Sequence, residues 1–341
     1  MADRRYLLHA EIGRGGTATV HLGTLVEVGS ERTAIVAVKR LREGFTRDAQ
    51  LVASLVDEAV LTTHIRHPNV VATIEVVTQP NDLFVVMEYV EGEALSRVLG
   101  RHADDDRRLP LPIVARIGCD VLRGLHAAHE ATDETGRPLQ IIHRDVSPQN
   151  VMIGTDGLAH VVDFGVAKAV GRLAQTKQGQ IKGKLAYMSP EHLRGDEIDR
   201  RADVYASGVL LWEMLVGQRL FRGKNEVEMV GAIRSGAIDP PSVKAGAHVP
   251  PVLDAVVMKA LSRDRALRFE TAAAMADALE AAIPPASTAH LAAWASIETA
   301  EAVAAHRAAV TSAGTSPSVL TFSSSAKSFD DATTRVMPKK G

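Results

Sequence analysis

Ile141-Ile142-His143-Arg144-Asp145-Val146-Ser147-Pro148-Gln149-Asn150, followed by Val161-Val162-Asp163-Phe164-Gly165, is the stretch on which fold and chemistry turn. In each piece an apolar run ends abruptly in acidic or amide side chains. Residues 150–153 and 159–163 read as short strands set among segments of helical period. Polar groups at the ends of such strands are where a cleft can gather them. Asn and Asp oxygens suit Mg²⁺, which keeps waters and phosphate oxygens in its shell. A further carboxylate can accept a proton from an alcohol. Either piece alone is commonplace; both in this order, with a lysine-bearing strand upstream, are not a chance pattern.

Upstream, residues 6–12 and 20–28 flank Gly13-Arg14-Gly15-Gly16-Thr17-Ala18-Thr19-Val20, as strands flank a hairpin. Glycine lets backbone approach phosphate oxygens with no Cβ in the way. An ordinary glycine hairpin fits this stretch equally well. A dinucleotide fingerprint does not, because a strand follows, and no Gly-Lys-Ser/Thr closes a Walker loop. Ile35-Val36-Ala37-Val38-Lys39 is a third strand, with Ala37 and Lys39 on one face. A helix is predicted over 51–65, where Leu51, Leu55, Glu58, Thr62 and Ile65 form an inward stripe. A carboxylate on that stripe needs a cation, and Lys39 is the candidate; a surface lysine beside a tolerated glutamate is the alternative. Residues 72–77 and 83–88 are two more strands, and Glu91-Gly92-Glu93 marks a break.

From about 93 to 283 the period is mainly helical. Ile113, Ile117, Val121 and Leu125 share one face, and residues 206–216 are apolar nearly all round, which predicts a fully buried helix. The fold class expected is α+β: a small β-rich lobe over about 6–90, a larger mainly helical lobe over about 91–283, and a cleft between them. Beyond Pro284-Pro285 an alanine-rich helix is expected within 284–310, then a disordered Ser/Thr-rich tail over 311–341. The 39 basic and 41 acidic residues give a net charge of −2, which argues against nucleic-acid binding driven by net charge. The lone Cys119 allows no intrachain disulfide and reads as a small buried hydrophobe. With neither an apolar leader nor a long apolar span, the chain is expected to be cytoplasmic, without membrane insertion.

Together these motifs resemble eukaryotic-type protein kinases, in particular bacterial serine/threonine kinases, over about residues 6–283. Gly13-x-Gly15 with Val20, Val36-Ala37-Val38-Lys39, Glu58, His67-Pro68-Asn69, Met87-Glu88-Tyr89-Val90, His143-Arg144-Asp145, Asn150, Asp163-Phe164-Gly165, Ser189-Pro190-Glu191, Asp203 and Arg268 carry it in order. The resemblance implies ATP and Mg²⁺. Ile12, Gly13, Arg14, Gly15, Gly16, Thr17, Ala18, Thr19 and Val20 would cover the nucleotide. Val20, Ala37 and Met152 would sandwich adenine, beside Met87 as gatekeeper and the backbone of Glu88 to Val90. Lys39 would hold phosphates and pair with Glu58. Asp145 would take the substrate proton, with Asn150 and Asp163 on the metal. Glu191–Arg268 and Asp203 would be structural. Ser147-Pro148-Gln149 keeps the proline of serine/threonine kinases, so protein Ser/Thr hydroxyls are the implied acceptors, with self-association for trans-autophosphorylation.

Three departures from the family stand out, the third at a pair of positions. Ala18 replaces the third loop glycine, and Thr62 stands where an apolar spine residue is usual. Ser147 and Lys184 stand where lysine and threonine are usual, which suggests an exchange: Lys184 supplies the cation and Ser147 the hydroxyl. Thr176, the only threonine between Asp163 and Ser189, is the expected autophosphorylation site, with Arg144 in its receiving pocket. The competing readings are a nucleotide-binding pseudokinase scaffold and, more remotely, a small-molecule phosphotransferase.

Overall fold

The computed structural model describes residues 4–15, 18–27, 33–41, 56, 59–79, 82–164, 185–313 and 321–324. Five strands, β1 (Arg4–Arg14), β2 (Ala18–Glu27), β3 (Thr33–Leu41), β4 (Thr73–Gln79) and β5 (Asp82–Glu88), fall where β-branched alternation predicts them. They form an antiparallel sheet in the order β4-β5-β3-β2-β1. Tyr6, Leu8, Val36, Val38, Val77, Phe84 and Val86 bury its inner face.

After Tyr89 and Val90 a three-residue strand, β6 (Gly92–Ala94), occupies the expected break and pairs with β7 (Val151–Gly154), which pairs with β8 (Ala159–Val161). Gly92 is required there: a Cβ would stand 2.0 Å from the Ile153 carbonyl. Helices α1 (Leu95–Asp104), α2 (Leu111–His129), α3 (Pro190–Arg194), α4 (Arg201–Val216), α5 (Glu226–Ser235), α6 (Pro241–Ala245), α7 (Val252–Ala260) and α8 (Ala272–Ala282) build the larger unit. Its axis is α4, buried on every side from Ala202 to Val216, as its unbroken apolar sequence predicts. Ile113, Ile117, Val121 and Leu125 of α2 are all interior. Cys119 sits in this core, and burial pushes its thiol up to about 12, so it packs as a hydrophobe.

Two expectations for the C-terminal region need correction. The alanine-rich segment is two helices, α9 (Thr288–Glu298) and α10 (Ala300–Ala313). They part where the Glu298 carbonyl accepts from Arg101 Nη2 (2.5 Å) instead of continuing the helical ladder. Leu291 and Ala295 of α9 are fully buried in the main core, so this segment is part of the folded unit. Of the tail expected to be disordered, residues 314–320 and 325–341 lie outside the described residues; within it β9 (Thr321–Ser324) pairs antiparallel with the outer edge of β1, Arg4 opposite Ser324. An open strand edge offers unpaired N–H and C=O groups, and the Thr-Phe pair of this segment suits a strand. Where α10 passes the linking segment, Tyr89 Oη meets His306 Nδ1 (3.0 Å) and Arg307 Nε donates to Glu91 (2.8 Å).

Glu191 and Arg268 form a fully buried fork of two bonds, 2.6 and 2.7 Å. Burial alone would raise the Glu191 carboxyl, but the Arg268 hydrogen bond and charge hold it below its ordinary value. A carboxyl depressed by folding stabilises above its unfolded value, and that stability is lost as pH falls through the folded one. Glu191→Gln should therefore cost about 3–5 kcal/mol at neutral pH by urea denaturation. The deficit should shrink as pH drops below about 4, where the wild-type carboxylate protonates.

Candidate active site

Strand β8 ends because Asp163 takes a left-handed backbone, φ +63, which a strand cannot continue. The turn is anchored through Asn69: its carbonyl accepts from Val161 N (2.8 Å), its Nδ2 donates to the Ala159 carbonyl (3.0 Å), and Val71 N donates to the Val161 carbonyl (3.0 Å). Gly124 of α2 permits this approach, since a Cβ would lie 2.6 Å from the Asn69 carbonyl. The upper sheet is thereby pinned to β8, and Asp163 meets β3: Lys39 Nζ lies 2.7 Å from Asp163 Oδ1. Lys39 is buried and Asp163 half-buried. Glu58, the partner expected for Lys39, lies outside the described residues; the ion pair seen is with Asp163. Phe164 turns inward, its ring edge-on to His143 at 4.6 Å between centroids.

The loop carrying Asp145 hangs from one carboxylate. Asp203, at the first turn of α4 and 1 % exposed, accepts from His143 N, Arg144 N and His129 Nε2, each at 2.8 Å. Burial opposes its charge, but the His129 bond, the nearby imidazoles and the loop amide together keep its carboxyl below the ordinary range. His143 is fixed as one tautomer: Nε2 donates to the Val162 carbonyl (2.9 Å) and Nδ1 accepts from Asp145 N (3.2 Å). Arg144 has φ +67, the second left-handed non-glycine residue of the site, a strain of about 1–3 kcal/mol held by the surrounding bonds. The Nε of Arg144 is buried with no hydrogen-bond partner among the described residues. Asn150 Nδ2 donates to the Asp145 carbonyl (2.8 Å), closing the loop and leaving its Oδ1 as the oxygen donor. Ser147 is buried in the same turn, its carbonyl accepting from Asn150 N (2.9 Å).

Above the loop, β1 and β2 converge in a hairpin. Gly13 pairs with Val20 and Arg14 with Thr19, and Gly15 N donates to the Ala18 carbonyl (2.9 Å). Ile12 precedes this turn; Gly16 and Thr17 lie outside the described residues. Lys39 is paired across to Val20 on one side and Val85 on the other, and Ala37 to Leu22 and Met87. Met152, half-exposed on β7, belongs to the lower wall. Glu88 N is taken by the Ala72 carbonyl (3.0 Å). Lys184, Gly165 and Thr176 lie outside the described residues.

Several contributors were not anticipated. His129 supports Asp203 from α2, fourteen residues before His143 of the loop it steadies; a helical pattern carries no sign of it. Thr62 is buried with its hydroxyl bonded to the Ala59 carbonyl (2.7 Å) and to Thr73 Oγ1 (2.8 Å). Thr62 and Thr73 line a small cavity with Lys39, Met87, Asp163 and Phe164. The departure at 62 is thus matched by a second threonine across the cavity. No group of three or more His, Cys, Asp or Glu that could hold a metal occurs among the described residues. An Asn–Asp pair suits Mg²⁺ completing its shell with phosphate oxygens.

The family model for the protein kinase domain matches residues 6–279. The tyrosine-protein kinase MasK of Myxococcus xanthus is 40% identical over 276 residues, covering 81% of this chain and 42% of that protein. The serine/threonine-protein kinase PknB of Mycobacterium leprae is 35% identical over 277 residues, covering 80% and 42%. PknL of Mycobacterium tuberculosis, another serine/threonine-protein kinase, is 35% identical over 284 residues, covering 82% and 66%. This chain thus spans about two fifths of the length of MasK and PknB. Among solved structures, the PknI kinase domain of Mycobacterium tuberculosis superposes with a TM-score of 0.61 at 22% identity, covering 82% of this chain and 96% of that one.

Asp203→Ala would leave three buried donors without an acceptor, each costing about 1–3 kcal/mol. The variant should melt at a lower temperature and lose phosphate transfer to a greater degree than nucleotide binding, measured by calorimetry and by labelled-phosphate incorporation.

Proposed function

We propose that this chain, which belongs to the protein kinase family, transfers the γ-phosphoryl group of ATP to serine and threonine hydroxyls of protein substrates. The observation that carries this is the Lys39–Asp163 pair, formed across the cleft beside a loop whose Asp145 and Asn150 are held by Asp203. Lys39 steadies the α- and β-phosphates, and the Gly13–Val20 hairpin lies over them through backbone amides. The adenine edge meets the Glu88 carbonyl and the Val90 amide, between Val20, Ala37 and Met152, with Met87 behind. Asp145 orients the acceptor hydroxyl and takes its proton as the O–P bond forms. Asn150 Oδ1 and Asp163 are the residues that would hold Mg²⁺, and the metal, when bound, neutralises charge on the phosphate oxygens. Most of the acceleration comes from positioning and preorganised charge.

Ser147-Pro148-Gln149 supports serine and threonine as acceptors. The name of MasK favours tyrosine as a second reading. Phosphoamino-acid analysis separates them: phosphoserine or phosphothreonine is expected, and phosphotyrosine alone would overturn the assignment. In the same sample, Mg·ATP should add phosphate to the wild type and none to Asp145→Ala, while ATP still raises the melting temperature of the variant. Peptide mapping should place phosphate on Thr176, with Arg144, whose Nε has no hydrogen-bond partner among the described residues, as its receiving group. The scaffold alternative predicts no phosphate in either protein; the presence of Lys39, Asp145, Asn150 and Asp163 disfavours it.

Lys184 and Ser147 are proposed to exchange the roles of the usual lysine and threonine. Lys184→Ala should then lower turnover by about 10²-fold with ATP binding unchanged. Unchanged turnover would place the lysine in solvent.

A further inference from the structure

A second cavity, of about 250 Å³, opens between α1, the turn after α4 and the catalytic loop, and four of its fifteen lining residues are arginines. Arg107 and Arg108 approach from the segment after α1, Arg219 and Arg222 from the turn after α4, and Pro148 of the catalytic loop also lines the cavity. One carboxylate, Glu213, lines the cavity, and it is already committed: it accepts from Tyr187 Oη (2.6 Å) and Leu220 N (3.1 Å) and pairs with Arg219 (3.3 Å). Arg107 is paired with Asp105 (3.0 Å) and with Glu298 of α9 (3.2 Å). The other two arginines lack such partners. Arg108 Nη1 donates to the Val216 carbonyl (2.9 Å), and Arg222 Nη2 reaches Gln218 Oε1 (3.4 Å). Neither has a carboxylate within ion-pair distance among the described residues. His102, 5 % exposed, lines the same cavity; its Nε2 lies 3.1 Å from Glu298, and neither ring nitrogen has a hydrogen-bond partner among the described residues.

We infer that this cavity is a docking subsite for an anionic side chain of the substrate polypeptide, a carboxylate or a phosphorylated residue near the acceptor. Two guanidinium groups with no carboxylate partner among the described residues match planar or tetrahedral oxyanions and repel basic side chains. Position fixes the reach. Pro148 follows Asp145 by three residues, so its Cα lies within about 11 Å of the Asp145 Cα, and an extended substrate covers about 3.3–3.6 Å per residue. The cavity's Pro148 wall is therefore within the span of about four extended substrate residues from the acceptor. Glu298, by holding Arg107 and facing His102, makes α9 part of the cavity's support. The inference rests on the protein-kinase function proposed above, and it supplies the substrate class.

The test uses fluorescence anisotropy on the full chain with three labelled peptides sharing a central serine: one flanked by glutamates, one by phosphoserines, one by arginines. The glutamate or the phosphoserine peptide should bind at least about tenfold tighter than the arginine peptide. Whichever of the two is tighter tells carboxylate from phosphate. Arg108→Glu with Arg222→Glu should reverse the order. Arg222→Glu alone, on an exposed side chain, should narrow it and keeps the test readable if the double variant does not fold. Equal binding of all three peptides, or a preference that survives both charge reversals, overturns the subsite. ADP release that requires Asp145, followed in the same samples, separates the two claims. Its absence with charge preference intact removes the kinase function and leaves the anion site, whereas its presence with no charge preference removes the site alone.

Discussion

A single buried carboxylate organises the lower half of the site. Asp203 sits where α4 begins, and α4 is enclosed on all sides, so its position is as firm as the core itself. From there it bonds two consecutive backbone amides of the loop at His143 and Arg144, and the imidazole of His129 holds its other flank. A carboxylate removed from water persists as an anion only when its oxygens are met this completely. The amides are fixed in turn, which holds Arg144 in a left-handed backbone immediately before Asp145. His143 extends the same network to the Val162 carbonyl, one residue before Asp163. The loop and the turn after β8 thus share one support.

The upper half meets it through Asn69 and Lys39. Asn69 stitches the segment before β4 to β8 by backbone and side-chain bonds, with Gly124 making room. That sets the height of the sheet above the loop, and the Lys39–Asp163 bond spans the remaining gap. Helix α10 adds a tie from outside: His306 and Arg307 hold Tyr89 and Glu91, on either side of Val90 in the segment that joins the two halves. β9 then lies on the edge of β1. The C-terminal region therefore touches both halves and the joint between them.

Much of this was legible in the chain. Alternation placed β1 to β5 within a few residues, and the all-apolar run over 206–216 marked the buried helix. The ordered motifs marked Lys39, Asp145, Asn150 and Asp163. The break of the alanine-rich segment at Thr299 was not legible, because alanine favours helix equally on both sides. The cause is a guanidinium from α1 that takes the Glu298 carbonyl. β9 was invisible for a similar reason: four residues of a Ser/Thr-rich stretch become a strand only when an open edge is presented to them. The cavity escaped notice because its arginines come in two pairs, Arg107 with Arg108 and Arg219 with Arg222, that stand far apart in sequence amid a nearly balanced charge.

By itself, then, the sequence determined the things that depend on local pattern: which segments alternate, which are apolar throughout, and which polar residues follow them in what order. Those are properties of a residue and its near neighbours, set by backbone geometry and side-chain periodicity. Tertiary structure alone decided which charges are balanced and which are not. Lys39 with Asp163, Asp203 with His129 and Glu191 with Arg268 all depend on groups from distant segments meeting at hydrogen-bond distance in a medium that screens poorly, and Arg108 and Arg222 meet no carboxylate among the described residues.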